Sequence, residues 1–303
     1  MSEINFGAID IGSNAVRILV KSVEKREDNT EYLVQKTLYR FPLRLGEDAF
    51  SGGEISKQNT KHLICLMKAF KQILKIYNVA DFKACATAAM REAKNGKQLA
   101  EKIYEETGIK VDIIGGTEEA RLIYDTHIER TLDQCKDYLY VDVGGGSTQL
   151  TMIHEGELIF SYSFDIGTVR LMNNKVSEQE REAFMTKLNE LYTQYPGLIL
   201  IGSGGNINKL YKLSRNKSHK EILPVNTLQS LHENLSPLSI EQRMKQFKLK
   251  KDRAEVIVYA SEIFLDVAKI TNSSQIIVPS ISIGDGIIEK MYEEYKNKHA
   301  LVN

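Results

Sequence analysis

One short pattern occurs twice in the chain: an apolar strand that carries a single aspartate and runs into a glycine-containing turn. The first copy, AIDIGS, occupies 8–13 and the second, YVDVGG, occupies 140–145, so the offset is 140 − 8 = 132 residues. Solenoid repeats have periods of only about 20–50 residues, which excludes that class of fold. The repeat therefore predicts two similar domains within the 303 residues.

The order of strand-like and helix-like segments predicts the fold class. In the first half three strand patterns come first, and helical and strand patterns then alternate. The second half begins again with strands at 138–143, 148–154 and 157–164, the last two joined by a hairpin turn at Glu155-Gly156. Such alternation is typical of α/β layers, so we expect an α/β protein with domains at 1–130 and 131–303. The last helix, near 284–295, is a candidate to pack back on the first domain.

Composition excludes several classes of protein. Lys plus Arg and Asp plus Glu both number 40, so the formal charge is zero, and neither a nucleic-acid partner nor a membrane surface is expected. The three cysteines include no Cys-x-x-Cys pair, and Cys65 and Cys85 lie in apolar runs that predict small core residues. The sequence has no signal peptide and no apolar stretch of about 18 residues, which predicts a cytoplasmic protein.

The repeated Asp-Gly turns are the first candidate functional residues. An aspartate between β-branched residues disfavours a strand, so its recurrence at Asp10 and Asp142 needs a reason. Tight glycine turns free backbone amides to form a concavity for anions, and a divalent cation would offset the repulsion between aspartate and anion. A single such turn is more simply a structural hairpin, but two equivalent copies favour phosphate binding. The candidate phosphate-binding residues in the two turns are Gly12, Ser13, Asn14, Gly144, Gly145, Gly146, Ser147 and Thr148.

A third glycine cluster follows the apolar strand at 198–201 and opens a helix. Its Gly204 and Gly205 would place helix amides at an anion, although a tight strand-to-helix connection explains them equally well. Arg91 follows another strand and could grip phosphate oxygens with two parallel donors, and Arg44 is a weaker candidate for the same role.

Two adjacent acids, Glu118 and Glu119, begin a helix after Gly115-Gly116. The simplest account is that both stabilise the helix dipole. One of them could instead act as a general base towards water. Adjacent helical residues point about 100° apart, so both cannot face one site.

Six segments together resemble the exopolyphosphatase/guanosine pentaphosphate phosphatase family, within the acetate and sugar kinase/Hsp70/actin superfamily. They lie at 8–19, 86–95, 113–124, 141–150, 166–171 and 201–210. The resemblance implies two actin-like (ribonuclease H-like) domains with a central cleft. It also implies Mg²⁺-dependent hydrolysis, with Mn²⁺ as the alternative metal, of a terminal phosphoanhydride in polyphosphate or guanosine pentaphosphate.

The resemblance also assigns roles to individual residues. Glu119 matches the catalytic glutamate that activates water, and Arg91 matches the substrate-binding arginine. Asp10 and Asp142 match the acids that organise metal and water, with Glu119 as a further metal ligand. Apolar helices near the C-terminus make a homodimer a reasonable expectation.

The chain departs from the family pattern at several places. Asn206 stands where the family usually has Thr, and Ile283-Gly284-Asp285-Gly286 stands where it usually has Leu-Arg-Glu-Gly. The additional helical domain of longer members is not expected here, which favours a short-chain or nucleotide substrate. Two other functions stay open: a small-molecule kinase of the same superfamily, and a non-catalytic sensor of polyphosphate or guanosine tetraphosphate.

Overall fold

The computed structural model describes residues 3–124, 133, 135–214, 221–279 and 281–300. Its contacts divide the chain into two units. The first comprises Met1–Thr126 together with Ser282–Asn303, and the second comprises His127–Ile281. The last helix therefore belongs to the first unit, although the whole second unit precedes it in sequence.

The first unit has one mixed sheet with helices on it. Its elements in the described residues are β1 (Asn5–Ile11), β2 (Val16–Lys25), β3 (Glu31–Phe41), α1 (Leu45–Gly52), α2 (Lys57–Ile76), β4 (Val79–Ala86), α3 (Ala88–Glu92), α4 (Gly96–Thr107), β5 (Val111–Ile113), α5 (Gly116–Tyr124) and a returning helix at Ile283–Ala300.

Strand order in this sheet is β3-β2-β1-β4-β5. β1 is antiparallel to β2 and parallel to β4, and it is buried along its whole length. A strand covered on both faces is expected to be nearly continuously apolar, and β1 departs from that only at Asn5 and at Asp10.

The amphipathic helix α2 shows how the sequence builds the first core. Ser56 caps it by accepting a hydrogen bond from the Asn59 amide at 3.2 Å. Met67 and Phe70 are fully buried on its inner face. Cys85 is buried as predicted, but the prediction for Cys65 is wrong, because the helical period places Cys65 on the solvent side of α2.

The second unit also has one mixed sheet. Its described elements are β6 (Tyr138–Val143), β7 (Thr148–His154), β8 (Glu157–Phe164), α6 (Thr168–Met172), α7 (Glu178–Gln194), β9 (Ile199–Ser203), α8 (Gly205–Leu213), β10 (Ile222–Pro224), α9 (Val225–Leu235), α10 (Ile240–Phe247), α11 (Lys251–Ile270) and β11 (Gln275–Ile277). The returning helix Ile283–Ala300 is α12.

The two sheets share one topology. In the second sheet the order is β10-β11-β9-β6-β7-β8. Strands β6, β7, β8, β9 and β11 therefore take the places of β1, β2, β3, β4 and β5, with the same parallel and antiparallel pairs. β10 is an added edge strand antiparallel to β11. The predictions of an α/β fold and of two similar units are confirmed.

The predicted strands at 138–143, 148–154 and 157–164 match the structure to the residue. The hairpin turn at Glu155-Gly156 has positive φ at both positions, 50° and 80°, which suits the twist of the flanking strands. Among the described helices, none is both long and apolar enough to span a bilayer.

Candidate active site

The first Asp-Gly turn joins β1 to β2. The Gly12 amide donates to the Ala15 carbonyl at 3.1 Å and closes the turn. Asp10 is 4% exposed and stands opposite Arg17 in the strand register. Arg17 Nη1 donates to Asp10 Oδ2 at 2.5 Å, which fixes the orientation of the carboxylate. The motif search did not single out Arg17, although a tight hairpin places it across from Asp10.

The start of α1 supports this first turn through hydrogen bonds. The Gly46 amide of α1 donates to the Ser13 carbonyl at 2.8 Å, and the Arg44 amide donates to the Asn14 carbonyl at 3.1 Å. A Cβ on Gly46 would lie 3.0 Å from the Ser13 Cβ, so glycine permits this close approach. The Arg44 side chain forms an ion pair with Glu47 of the same helix.

The second turn repeats the first. The Gly144 amide donates to the Ser147 carbonyl at 2.9 Å, and both residues lie 132 positions after Gly12 and Ala15. Within the described part of the chain, the amides of Gly145, Gly146 and Ser147 donate to no protein acceptor. Three consecutive amides in a tight turn form a concavity suited to an anion.

Helix α6 supports the second turn as α1 supports the first. The amides of Thr168 and Val169 donate to the carbonyls of Gly144 and Gly145, at 3.0 and 2.8 Å. The buried Arg170 donates from Nε to the Gly146 carbonyl at 2.6 Å. The inner carbonyls of the turn are thus used within the protein, which leaves its amides to face outward.

The structure places Thr148 beneath the second turn. Its side chain is fully buried, and its hydroxyl donates to the Ile166 carbonyl at 2.6 Å. Ser147 is also buried, and its Oγ accepts a hydrogen bond from Gln149 Nε2 at 3.0 Å. Of the two hydroxyl groups, only that of Ser147 belongs to the turn itself.

The third glycine cluster meets the second turn within the same unit. Gly204 has φ of 103°, and a Cβ there would lie 2.9 Å from the Val143 carbonyl. Ser203 Oγ donates to Asp142 Oδ1 at 2.5 Å, so the end of β9 orients the buried aspartate. Gly205 begins α8, and its carbonyl accepts a hydrogen bond from Arg253. Ser203 was not singled out in the sequence, because a serine inside a glycine run carries no distinct signal.

Glu119 lies in the first turn of α5, where its amide donates to the Gly115 carbonyl at 2.9 Å. It is only 6% exposed, whereas Glu118 is exposed, as expected when two adjacent helical residues point in different directions. Arg91 Nη1 donates to the Ile114 carbonyl at 3.1 Å. Arg91 and Glu119 are thereby tied to the same short segment between β5 and α5.

Cys85 lies next to Asp10 across the β1–β4 pair. Burial, reinforced by the negative charges of Asp112 and Asp10, raises the pKa of the Cys85 thiol to about 12. The thiol is therefore protonated at neutral pH and is a poor nucleophile.

The available donors fit a hard divalent cation. Asp10 in the first unit and Asp142 in the second are buried carboxylates, to which Arg17 and Ser203 donate. Mg²⁺ commonly takes one or two carboxylates and completes its shell with water and substrate phosphate. In the residues that the structure describes, no group of three His, Cys, Asp or Glu side chains is arranged to hold a metal.

Asp285, one of the departures from the family pattern, has local partners in the first unit. Its Oδ1 lies 2.7 Å from Lys21 Nζ, and its Oδ2 accepts hydrogen bonds from the amide and hydroxyl of Ser282. The aspartate thus caps α12 and pairs it with β2. Asn206, the other departure, is buried in the first turn of α8.

Comparison with known proteins gives a consistent result. A model described as the Ppx/GppA phosphatase family matches residues 25–295. The bifunctional 3-dehydroquinate synthase/phosphatase of Fusobacterium nucleatum is 27% identical over 96% of this chain and 46% of its own length. Exopolyphosphatase 1 of Mycobacterium bovis is 29% identical over 55% of this chain and 48% of its own length. The chain spans about half the length of these relatives.

Solved structures share the fold. The Ppx/GppA family member of Aquifex aeolicus gives a TM-score of 0.76 at 23% identity, over 97% of this chain and 99% of that one. An exopolyphosphatase from Cytophaga hutchinsonii gives a TM-score of 0.81 at 23% identity, over 96% of this chain and 98% of that one. The predicted α/β class with two actin-like units is confirmed. The match of the family model to most of the sequence shows that the chain belongs to the Ppx/GppA phosphatase family.

Proposed function

We propose that the protein is a phosphohydrolase that releases the terminal phosphate of polyphosphate or of guanosine pentaphosphate. The observation that carries this proposal is the second turn, whose three consecutive amides have no protein acceptor among the described residues. A matching turn in the first unit, closed by the same hydrogen bond, supports it. Both types of substrate offer a chain of anionic oxygens that such turns can bind.

In this proposal Glu119 is the general base. Its carboxylate orients a water molecule and accepts a proton as the water oxygen bonds to the terminal phosphorus. The bond from that phosphorus to the bridging oxygen breaks in line, and the shortened phosphate chain leaves with the bridging oxygen. Turn amides and Arg91 hold the oxygens of the transferring group, where charge is spread in the transition state.

Mg²⁺, when bound, would neutralise phosphate charge and help to align the bound chain. Asp10 and Asp142 are the residues proposed to hold it, directly or through water, with Glu119 as a further ligand. Arg17 and Ser203 keep the two aspartates in fixed orientations. The relatives named as exopolyphosphatase and as guanosine-5′-triphosphate,3′-diphosphate pyrophosphatase support both substrates as candidates.

A panel of substrates tests the proposal. Short polyphosphate, long polyphosphate and guanosine pentaphosphate are each incubated with the protein, with and without Mg²⁺, and free phosphate is measured. We expect release that requires Mg²⁺ and no acceptor other than water. Release that depends on an added alcohol would indicate a kinase instead. Thermal stabilisation by these compounds without any release would indicate a sensor.

A further inference from the structure

Helices α5 and α12 touch through their backbones at one glycine of the first unit. A Cβ on Gly286 would lie 1.5 Å from the Leu122 carbonyl oxygen and 2.5 Å from its carbonyl carbon. No pair of non-bonded atoms tolerates such distances, and the obstacle is backbone rather than a flexible side chain. Only the hydrogen of glycine therefore fits between the two helices at this point.

The contact lies one helical turn from Glu119. Leu122 follows Glu119 by three residues in α5, so the two lie close together along one side of the helix. α5 is nine residues long, and at its start it is held by the hydrogen bond from Arg91 to the Ile114 carbonyl. The far part of α5 rests on α12 at Gly286, so α12 helps to set the direction in which Glu119 points.

α12 is itself anchored to the sheet of the same unit. Asp285 pairs with Lys21 of β2 at 2.7 Å, and Gly284 lies against Leu19 of β2. Ile287 and Ile288 are buried in the next turn. When a larger residue replaces Gly286, we expect the nine-residue α5 to move rather than the eighteen-residue α12, which is anchored to the sheet.

A pocket beside this contact gives α5 room to move. It has a volume of about 340 Å³, and its walls include Glu118, Leu122 and Ile287. Displacement of α5 can therefore be absorbed without unfolding of the unit. The expected effect of a small side chain at Gly286 is a shifted Glu119 in a folded protein.

We propose that Gly286 is a positioning residue for Glu119, acting through its backbone contact with Leu122. This inference rests on the proposed role of Glu119 as the general base. A displacement of about 1 Å at a reacting group can cost on the order of 10²-fold in rate. Gly286→Ala is expected to lower kcat by about 10- to 100-fold and to leave KM nearly unchanged, because the phosphate-binding turns do not move.

The matched control is Gly284→Ala, two residues earlier on the same helix. Its new Cβ would lie 3.4 Å from Leu19, which is ordinary van der Waals contact. Both variants are measured for phosphate release, for KM and for thermal unfolding. Gly284→Ala is expected to retain the kcat of the parent protein.

A double-mutant cycle separates positioning from general damage to the fold. Gly286→Ala is combined with Glu119→Gln, in which no base is left to displace. We expect the loss of kcat caused by Gly286→Ala to disappear in this background. An equal loss in both backgrounds, or no loss in either, would overturn the proposal.

If Gly286→Ala does not fold, a variant with a smaller expected effect on the structure is used instead. Lys21→Met removes the ion pair that anchors α12, and it should lower kcat several-fold only when Glu119 is present. Lys21→Met is combined with Glu119→Gln in the same way, and the kcat values show whether its effect requires Glu119. If Glu119→Gln itself leaves activity intact, the proposed function fails; if only the coupling is absent, the role of Gly286 alone fails.

Discussion

Two neighbouring glutamates provide the sharpest test at the scale of single residues. Glu119 is buried at the start of α5, whereas Glu118 is exposed. We expect Glu119→Gln to fold and to lower turnover by about 10²- to 10⁴-fold, because removal of a general base commonly costs that much. Glu118→Gln is the control and should retain activity. Phosphate release and thermal unfolding are measured for both, and normal turnover in Glu119→Gln would contradict the assignment.

A histidine at the end of β7 predicts a pH dependence of stability. His154 Nδ1 lies 2.6 Å from Asp137 Oδ1, and this hydrogen bond, with the nearby charges of Asp137 and Glu155, raises the pKa of His154. The ring also packs on Tyr195, with centroids 5.3 Å apart. Protonated His154 therefore stabilises the folded state fully below the unfolded pKa of about 6.5, and this contribution is lost as pH rises through the higher folded pKa.

His154→Gln should remove that part of the pH dependence. The urea midpoint is compared between about pH 5.5 and about pH 8.5, a range that brackets histidine titration. The parent protein should lose more stability than the variant on going to the higher pH. Identical changes in the two proteins would show that the pair with Asp137 contributes nothing.

The candidate carboxylates could be predicted from the sequence, because an aspartate inside an apolar strand is unusual. Asp10 and Asp142 were found in this way. Their partners Arg17 and Ser203 were not, because a basic residue in a strand and a serine beside glycines are common. Only the strand register and the close approach of β9 to β6 show which donors orient the aspartates.

At the scale of elements, each Asp-Gly turn is supported by the start of a short helix. α1 supports the first turn and α6 the second, through amide-to-carbonyl hydrogen bonds of 2.8–3.1 Å. The sequence predicted neither helix, since α1 has eight residues and α6 has five, too few to show a helical period. The strands at 138–143, 148–154 and 157–164 were predicted well, because their apolar pattern extends over six or more residues.

Gly167, the residue before α6, lies so close to the second turn that a substitution there tests this support. A Cβ on Gly167 would lie 2.4 Å from the Gly145 carbonyl oxygen. Gly167→Ala should therefore displace the second turn, raise KM for the phosphate substrate and destabilise the protein by about 1–3 kcal/mol.

Gly52→Ala is the control, because a Cβ at Gly52 would meet no atom within 4 Å. Urea denaturation and steady-state kinetics are measured for both variants. An unchanged KM in Gly167→Ala would show that the turn does not depend on α6.

At the scale of the whole molecule, the first unit is built from two separate parts of the chain. The repeat predicted two similar units, and the last helix, near 284–295, was a candidate to pack back on the first. In the structure α12 packs against β1, and the ring centroid of Phe6 lies 6.1 Å from that of Tyr292, in a tilted arrangement, and 5.7 Å from that of Tyr295, edge-on. Its buried side chains are Ile283, Ile287, Ile288, Met291 and Tyr292.

Removal of residues 282–303 should therefore unfold the first unit. Burial of each large apolar side chain stabilises a protein by about 1.5–3 kcal/mol, so the loss of five rivals the net stability of about 5–15 kcal/mol that a domain has. Limited proteolysis should then cut within residues 1–126 and spare the second unit. A truncation after Tyr295 is the control, because the residues at 296–299 are exposed. Equal resistance of both units in the longer truncation would contradict this expectation.

The late position of α12 has a consequence for synthesis on the ribosome. Residues 1–126 leave the exit tunnel first, yet the helix that covers β1 is translated only after residue 282. The second unit, continuous in sequence, can finish folding while the first still exposes the apolar surface that α12 will cover. The amino-terminal half is therefore the later of the two to mature, and it is the half that chaperones would have to protect.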